Sequence, residues 1–272
     1  GFRALDAEDT GGTSVAIGAW ALSAQNYDGN SYNTAVGYLV GESITTGVQN
    51  TLVGGLAGDA LTTSNNSVAV GYNALSANTG NAGNVAVGMN ALTDNTEGAN
   101  NVAVGLSALA NNTTASNNTG IGYGVLEANT TGAGNTAIGK DALNANTTAD
   151  NNTAIGLDAL TANTTGTYNA AVGSSALASN TTANGNNAMG YNALTANTTG
   201  ASNIAIGQQT MTGNTTGSNN TAIGHVALGD NTTASNNTAI GFFALNANTT
   251  GTQNVAVGSF SLDALTQGNY NV

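Results

Sequence analysis

Asp141 and Asp158 stand one sequence period of 17 residues apart, with Lys140 beside the first. If one period is one rung of stacked β-structure, their carboxylates would lie about 5 Å apart, a separation compatible with a retaining glycosidase pair. Lys140 offers simple charge compensation instead, and the sequence shows no surroundings that would raise either carboxyl's pKa. Asp6, Glu8 and Asp9 form a small acidic cluster able to attract a cation, yet no GGxGxD calcium-binding motif accompanies it. His225 is the one histidine and reads as a solvated loop residue. The chain has no cysteine, which removes disulfides and thiolate metal sites. No catalytic residue, no cofactor and no metal are therefore expected, and the chain is not expected to be an enzyme.

These residues are carried by a repeat. A glycine closing an apolar pair recurs at Gly1, Gly18, Gly37 and Gly54, and then every 17 residues to Gly258. The interval from Gly18 to Gly37 is 19, so two residues are inserted near Gln25 to Tyr32. With this glycine as position 5, the consensus is N, T/V, A, I/V, G, x, x, A, L, x, A, N, T, T, G/A, x, x. Position 9 is Leu except at Met211, Gly41 and Gly58, and position 12 is Asn without a break from Asn78 to Asn248. Seventeen residues are too few for a helix pair of the tetratricopeptide or ankyrin kind. A β-branched pair before Gly, a second short apolar pair and an Asn-Thr-Thr-Gly turn suit one coil of a β-solenoid.

The expected fold is all-β: a parallel β-solenoid of about 16 coils with 17 residues per coil, one repeat domain over 1–272, on the order of 75 Å long. Ile or Val at position 4 and Leu at position 9 are expected to fill the coil interior, as in the ladders Ile138, Ile155, Val172 and Leu143, Leu160, Leu177. Ala at positions 3, 8 and 11 would let backbone layers approach. Gly at position 5 would supply a corner or a left-handed φ. Asn at positions 1 and 12 could form amide ladders in at least one column, or simply tolerate a turn. Formal Asn-x-Thr glycosylation sites recur at Asn129, Asn146 and Asn163, and repetition explains them better than glycosylation does.

Charge and hydropathy narrow the partners. The formal charge is −12, with Arg3 and Lys140 the only strong cations, so no basic surface exists to neutralise phosphates and no nucleic-acid partner is expected. The apolar runs are far shorter than the roughly 20 residues that cross a bilayer, so no membrane insertion is expected. The chain starts on position 5 and stops on position 2, without an initiator Met or capping coils; the expectation is a segment of a longer repetitive protein. The strand NTAIG carries no charge on either face, which suggests that both faces are covered, one by the coil core and one by neighbouring chains. A homo-oligomer, with three subunits as the natural closed arrangement, is the expected assembly.

Most of the aromatic residues fall at positions 6 or 7: Phe2, Trp20, Tyr38, Tyr72, Tyr123, Tyr191, Phe242, Phe243 and Phe260. They are expected to form an interrupted ridge along one edge, packing between subunits or stacking on sugars or a receptor. The Thr columns at positions 13 and 14 raise ice binding as an alternative function, although adjacent Thr residues point to opposite sides and only one column could face ice.

Residues 14–18 (SVAIG) and 67–71 (SVAVG, preceded by Asn66) resemble the head repeat of trimeric autotransporter adhesins of the YadA-like kind. The longer unit, residues 152–167 (NTAIGLDALTANTTGT), is similar to the tandem repeats of phage tail-fibre proteins, including those of marine cyanophages, and of related bacterial surface proteins. The adhesin unit is shorter than this one. The resemblance covers essentially the whole chain and implies left-handed coiling, trimerisation and an extracellular place on a virion tail fibre or a bacterial surface. A fibrous shaft or head with multivalent attachment to a host surface receptor or glycan is the function it implies.

Overall fold

A computed structural model describes residues 1–8 and 11–272. The chain divides into two compact units, Gly1–Asn135 and Thr136–Val272. The first carries β1 (Val15–Ile17), β2 (Thr34–Val36), β3 (Thr51–Val53), β4 (Val68–Val70), β5 (Val85–Val87), β6 (Val102–Val104) and β7 (Thr119–Ile121). The second carries β8 (Thr136–Ile138), β9 (Thr153–Ile155), β10 (Ala170–Val172), β11 (Asn187–Met189), β12 (Ile204–Ile206), β13 (Thr221–Ile223), β14 (Thr238–Ile240) and β15 (Val255–Val257). The described residues contain no helix.

Within each unit consecutive strands pair in parallel and in register. Thr136 faces Thr153 and Ile138 faces Ile155 in one unit, as Val85 faces Val102 in the other. The pair β1 and β2 keeps this register although its coil is two residues longer, with Val15 facing Thr34. One period of sequence thus becomes one step between stacked rungs, and the chain is an all-β parallel solenoid.

Each three-residue strand is followed by a glycine whose φ, between 126° and 150°, suits no residue with a side chain. Gly139 has φ +131°, and a Cβ there would lie 2.5 Å from the Gly156 carbonyl oxygen of the next coil. The chain then folds back through two residues in the left-handed region. Asp141 and Leu143, at positions 7 and 9, have φ of 55° and 51°. That region costs a residue with a Cβ about 1–2 kcal/mol. Burying the leucine contributes about 1.5–3 kcal/mol, and the turn's amides are bonded to neighbouring coils, as in Leu143 N–H to Ala159 O at 3.0 Å and Asp158 N–H to Lys140 O at 3.0 Å.

The interior corrects one expectation. Ala137, Ala142 and Leu143 are fully buried, but Ile138 is 37% exposed. Position 3 faces the core, and positions 2 and 4 face outward. The cause is the width of the coil: Leu at position 9, thrown inward by its left-handed backbone, already fills the space, so the opposing wall accommodates Ala rather than Ile or Val. Where the leucine is missing the core redistributes. Gly41 and Gly58 occupy position 9, and the lost volume returns as Ile44 and Leu61 at position 12 and Leu52 at position 3, all fully buried.

Two amide columns close the coils, the one at position 12 running from Asn78 to Asn248. At position 12, Asn163 Nδ2 donates to Asn146 Oδ1 at 3.1 Å and Asn180 Nδ2 to Asn163 Oδ1 at 2.9 Å. At position 1, Asn118 accepts the backbone N–H of Asn135 on its Oδ1 at 2.9 Å and donates Nδ2 to Gly132 O at 2.8 Å. The carbonyl at position 15 receives both columns; Ala115 O accepts from Asn101 and from Asn112. Buried polar groups in a core this thin must be paired, and asparagine is short enough to reach both its own coil and the next.

Candidate functional site

The outward face of the strands is an uncharged surface. Positions 2 and 4 form two parallel columns of Thr, Val and Ile, and no strand residue in either column carries a charge. In column 4, Val36, Val70, Val87, Val104 and Val172 are half-buried, whereas Ile17, Met189 and Val257 are more than half exposed. The face is continuous along the paired strands of each unit because the register never slips.

One interval departs from that pattern. Between β10 and β12 column 2 reads Ala170, Asn187, Ile204, and column 4 reads Val172, Met189, Ile206. The short side chain of Ala170 opens an apolar hollow of about 310 Å³ bordered by Val172, Asn187, Met189, Ile204 and Ile206. Met189 is 53% exposed on its rim.

The aromatic residues border the strip, at the corner that follows column 4. In the first unit Phe2, Tyr38, Tyr72 and Tyr123 are exposed, while Trp20 is half-buried under the Arg3 guanidinium, 4.7 Å from the ring. In the second unit Tyr191, Phe242 and Phe260 are exposed. Phe243 lies half-buried between Phe242 at 4.6 Å and Phe260 at 5.9 Å. Sequence reasoning missed three exposed tyrosines at position 17, Tyr32, Tyr168 and Tyr270, whose backbones are left-handed; their shared repeat position was the available signal.

His225 differs from its sequence reading. It is half-buried and stacked on Phe242 at 5.5 Å and 15°, with Nδ1 buried and without a hydrogen-bond partner. A flat ring beside a phenyl ring one coil away gains more from stacking than from hydration.

The remaining polar candidates are used locally. Lys140 Nζ lies 3.0 Å from Asp141 Oδ2, and Asp158 is half-exposed in the next coil. Asp6 is paired loosely with Arg3 at 3.8 Å. The Glu8 carboxylate accepts from Gly11 N–H and Gln25 Nε2, each at 2.7 Å; Asp9 lies outside the described residues. Among the described residues no group of three or more His, Asp or Glu could hold a metal ion. Asp59 stands out: burial holds its carboxyl above the usual carboxylate range, Glu42 one coil away adds to this, and the backbone amides of Asp59 and Ala60 oppose it. Its Oδ1 is buried without a partner.

Asn129, Asn146 and Asn163 are fully buried, so these formal glycosylation sites are closed to modification in the folded chain. The Thr hydroxyls at position 13 bond along the stack, with Thr164 Oγ1 donating to Thr181 O at 3.1 Å and Thr198 Oγ1 to Thr215 O at 3.1 Å. Position 14, as at Thr165 and Thr182, faces solvent.

No protein-family model, curated protein or solved structure matches the chain. Among the described residues no helix is long and apolar enough to cross a membrane.

Proposed function

We propose that this chain is a structural, fibrous repeat element whose copies associate through the outward strip of columns 2 and 4, three around a common axis. The observation that carries the reading is the strip itself: two columns without a charge, held in register strand after strand. In the second unit each strand exposes on the order of 100 Å², so eight strands present on the order of 800 Å², the share one partner brings to a standard interface. Water would otherwise face that apolar area along the whole stack.

The element is passive. Its rungs act as a spacer and, through parallel copies, present several equivalents of any contact surface, including the aromatic edge. A shaft or head of a phage tail fibre or of a bacterial surface adhesin is the setting that the repeat suits, with a host receptor or glycan as the external partner. Light scattering on the purified chain tests the reading: about three times the 26.5 kDa chain mass is expected, and a monomeric mass overturns it.

A further inference from the structure

In a chain this rich in asparagine, every Asn but one is followed by a residue that carries a side chain. The exception is Asn184, which precedes Gly185 in the single Asn–Gly pair of the sequence. With no Cβ on the following residue, its backbone nitrogen can approach the asparagine side-chain amide closely. Asn184 is exposed.

The fold has no need of glycine there. Residue 185 stands at position 17, where the backbone is left-handed from Tyr32 to Tyr270 whatever the residue, as at Asn219 and Gln253, both with φ 58°. A Cβ on Gly185 would meet only Ser202 Oγ, at 3.7 Å. What the fold does is hold both reacting groups from one coil away. Thr167 N–H and Thr167 Oγ1 donate to Asn184 Oδ1 at 2.7 and 3.2 Å, and Gly185 N–H donates to Thr167 O at 3.1 Å.

We infer that Asn184–Gly185 is a site of spontaneous deamidation that Thr167 keeps closed in the stacked coil, so that its conversion records the opening of that coil. For reaction the Gly185 nitrogen must give up its proton and bond to Asn184 Cγ, and the side-chain nitrogen leaves as ammonia. Both groups have to leave Thr167 first. Water then opens the cyclic imide. Addition at the former side-chain carbon gives aspartate; addition at the former main-chain carbon gives isoaspartate, which lengthens the backbone by one atom. Asn186, two residues on, takes Asn169 Oδ1 on its N–H at 2.9 Å and reaches Gly200 O at 2.9 Å. A coil one atom too long does not keep both bonds in register, so the isoaspartate product makes the opening permanent.

The test follows Asn184 by peptide mass spectrometry in chain held at mildly alkaline pH, folded in buffer or unfolded in guanidinium chloride. Deamidation registers as the mass gain of an amide-to-acid exchange; Asp28–Gly29, the acidic counterpart of the pair, isomerises without a change of mass. We expect Asn184 to be the first asparagine converted in the unfolded chain. In the folded chain its conversion should be at least about tenfold slower, which corresponds to an opening free energy of about 1.4 kcal/mol or more. Hydrogen exchange at the Gly185 amide should be slowed by a comparable factor. Gly185→Gln, the residue that position 17 carries at Gln253, should remove the lead of Asn184 in the unfolded chain and leave the circular dichroism of the folded chain unchanged. Conversion in the folded chain as fast as in the unfolded one, or faster, overturns the closure by Thr167. Another asparagine converting first in the unfolded chain overturns the site itself.

Discussion

Asparagine at position 12 does in this chain what a larger apolar residue does in most cores. Asn163 donates its amide hydrogens to Asn146 Oδ1 and to Gly166 O, and its own oxygen accepts from Asn180 Nδ2. Asn163→Ala should therefore cost about 2 kcal/mol or more, since it strands polar atoms in a dry interior; thermal unfolding followed by circular dichroism measures it. Asp59 is the opposite case, a carboxyl whose folded environment favours the proton. With the folded pKa above the unfolded one, the native state binds the proton more tightly. Stability from this group is complete below the ordinary carboxylate range and falls as pH rises through that range to the folded pKa. Asp59→Asn, which keeps the shape and removes the charge, should raise the unfolding temperature at pH 7 relative to the parent and leave it nearly unchanged at pH 3. A parent as stable as the variant at pH 7 would contradict the burial cause.

The coil is the unit in which volume is conserved. Positions 9 and 12 share one space: at Gly58 an added Cβ would come within 2.7 Å of Leu61 Cδ1. The following coil has the reverse choice, Leu75 with Asn78, and Asn78 has no partner for either amide atom above Leu61. Asn78→Leu alone should overpack and Leu75→Gly alone should leave a void. The double variant copies the preceding coil, and a coupling of about 1–3 kcal/mol is expected from a double-mutant cycle by thermal unfolding. Within the sequence, the glycine at position 5 made the period and the parallel stack readable, because only glycine meets both the φ and the close approach. The inward face of the strand was not readable. Hydropathy favours Ile138 over Ala137 for the core, and the deciding fact is a left-handed leucine across the coil, a conformation leucine rarely adopts. The aromatic edge could be placed from its repeat positions, whereas the hollow at Ala170 needed the knowledge that column 2 faces outward.

For the molecule as a whole, the uncharged strip separates what folds a chain from what joins chains. Ile223 lies on the outward face of β13 and is exposed, so Ile223→Lys should leave the circular dichroism spectrum intact. An unpaired ammonium in a covered apolar face costs several kcal/mol, which weakens association a hundredfold or more at about 1.4 kcal/mol per tenfold; sedimentation should show the lighter species. The amide columns also have a sense. In each unit the later asparagine donates to the earlier one, and the earlier side-chain oxygen at position 1 waits for the backbone N–H of the later. A completed coil therefore offers acceptors to the residues that leave the ribosome next, a template read in the order of synthesis, so nascent chain can be captured rung by rung instead of searching for its place after release.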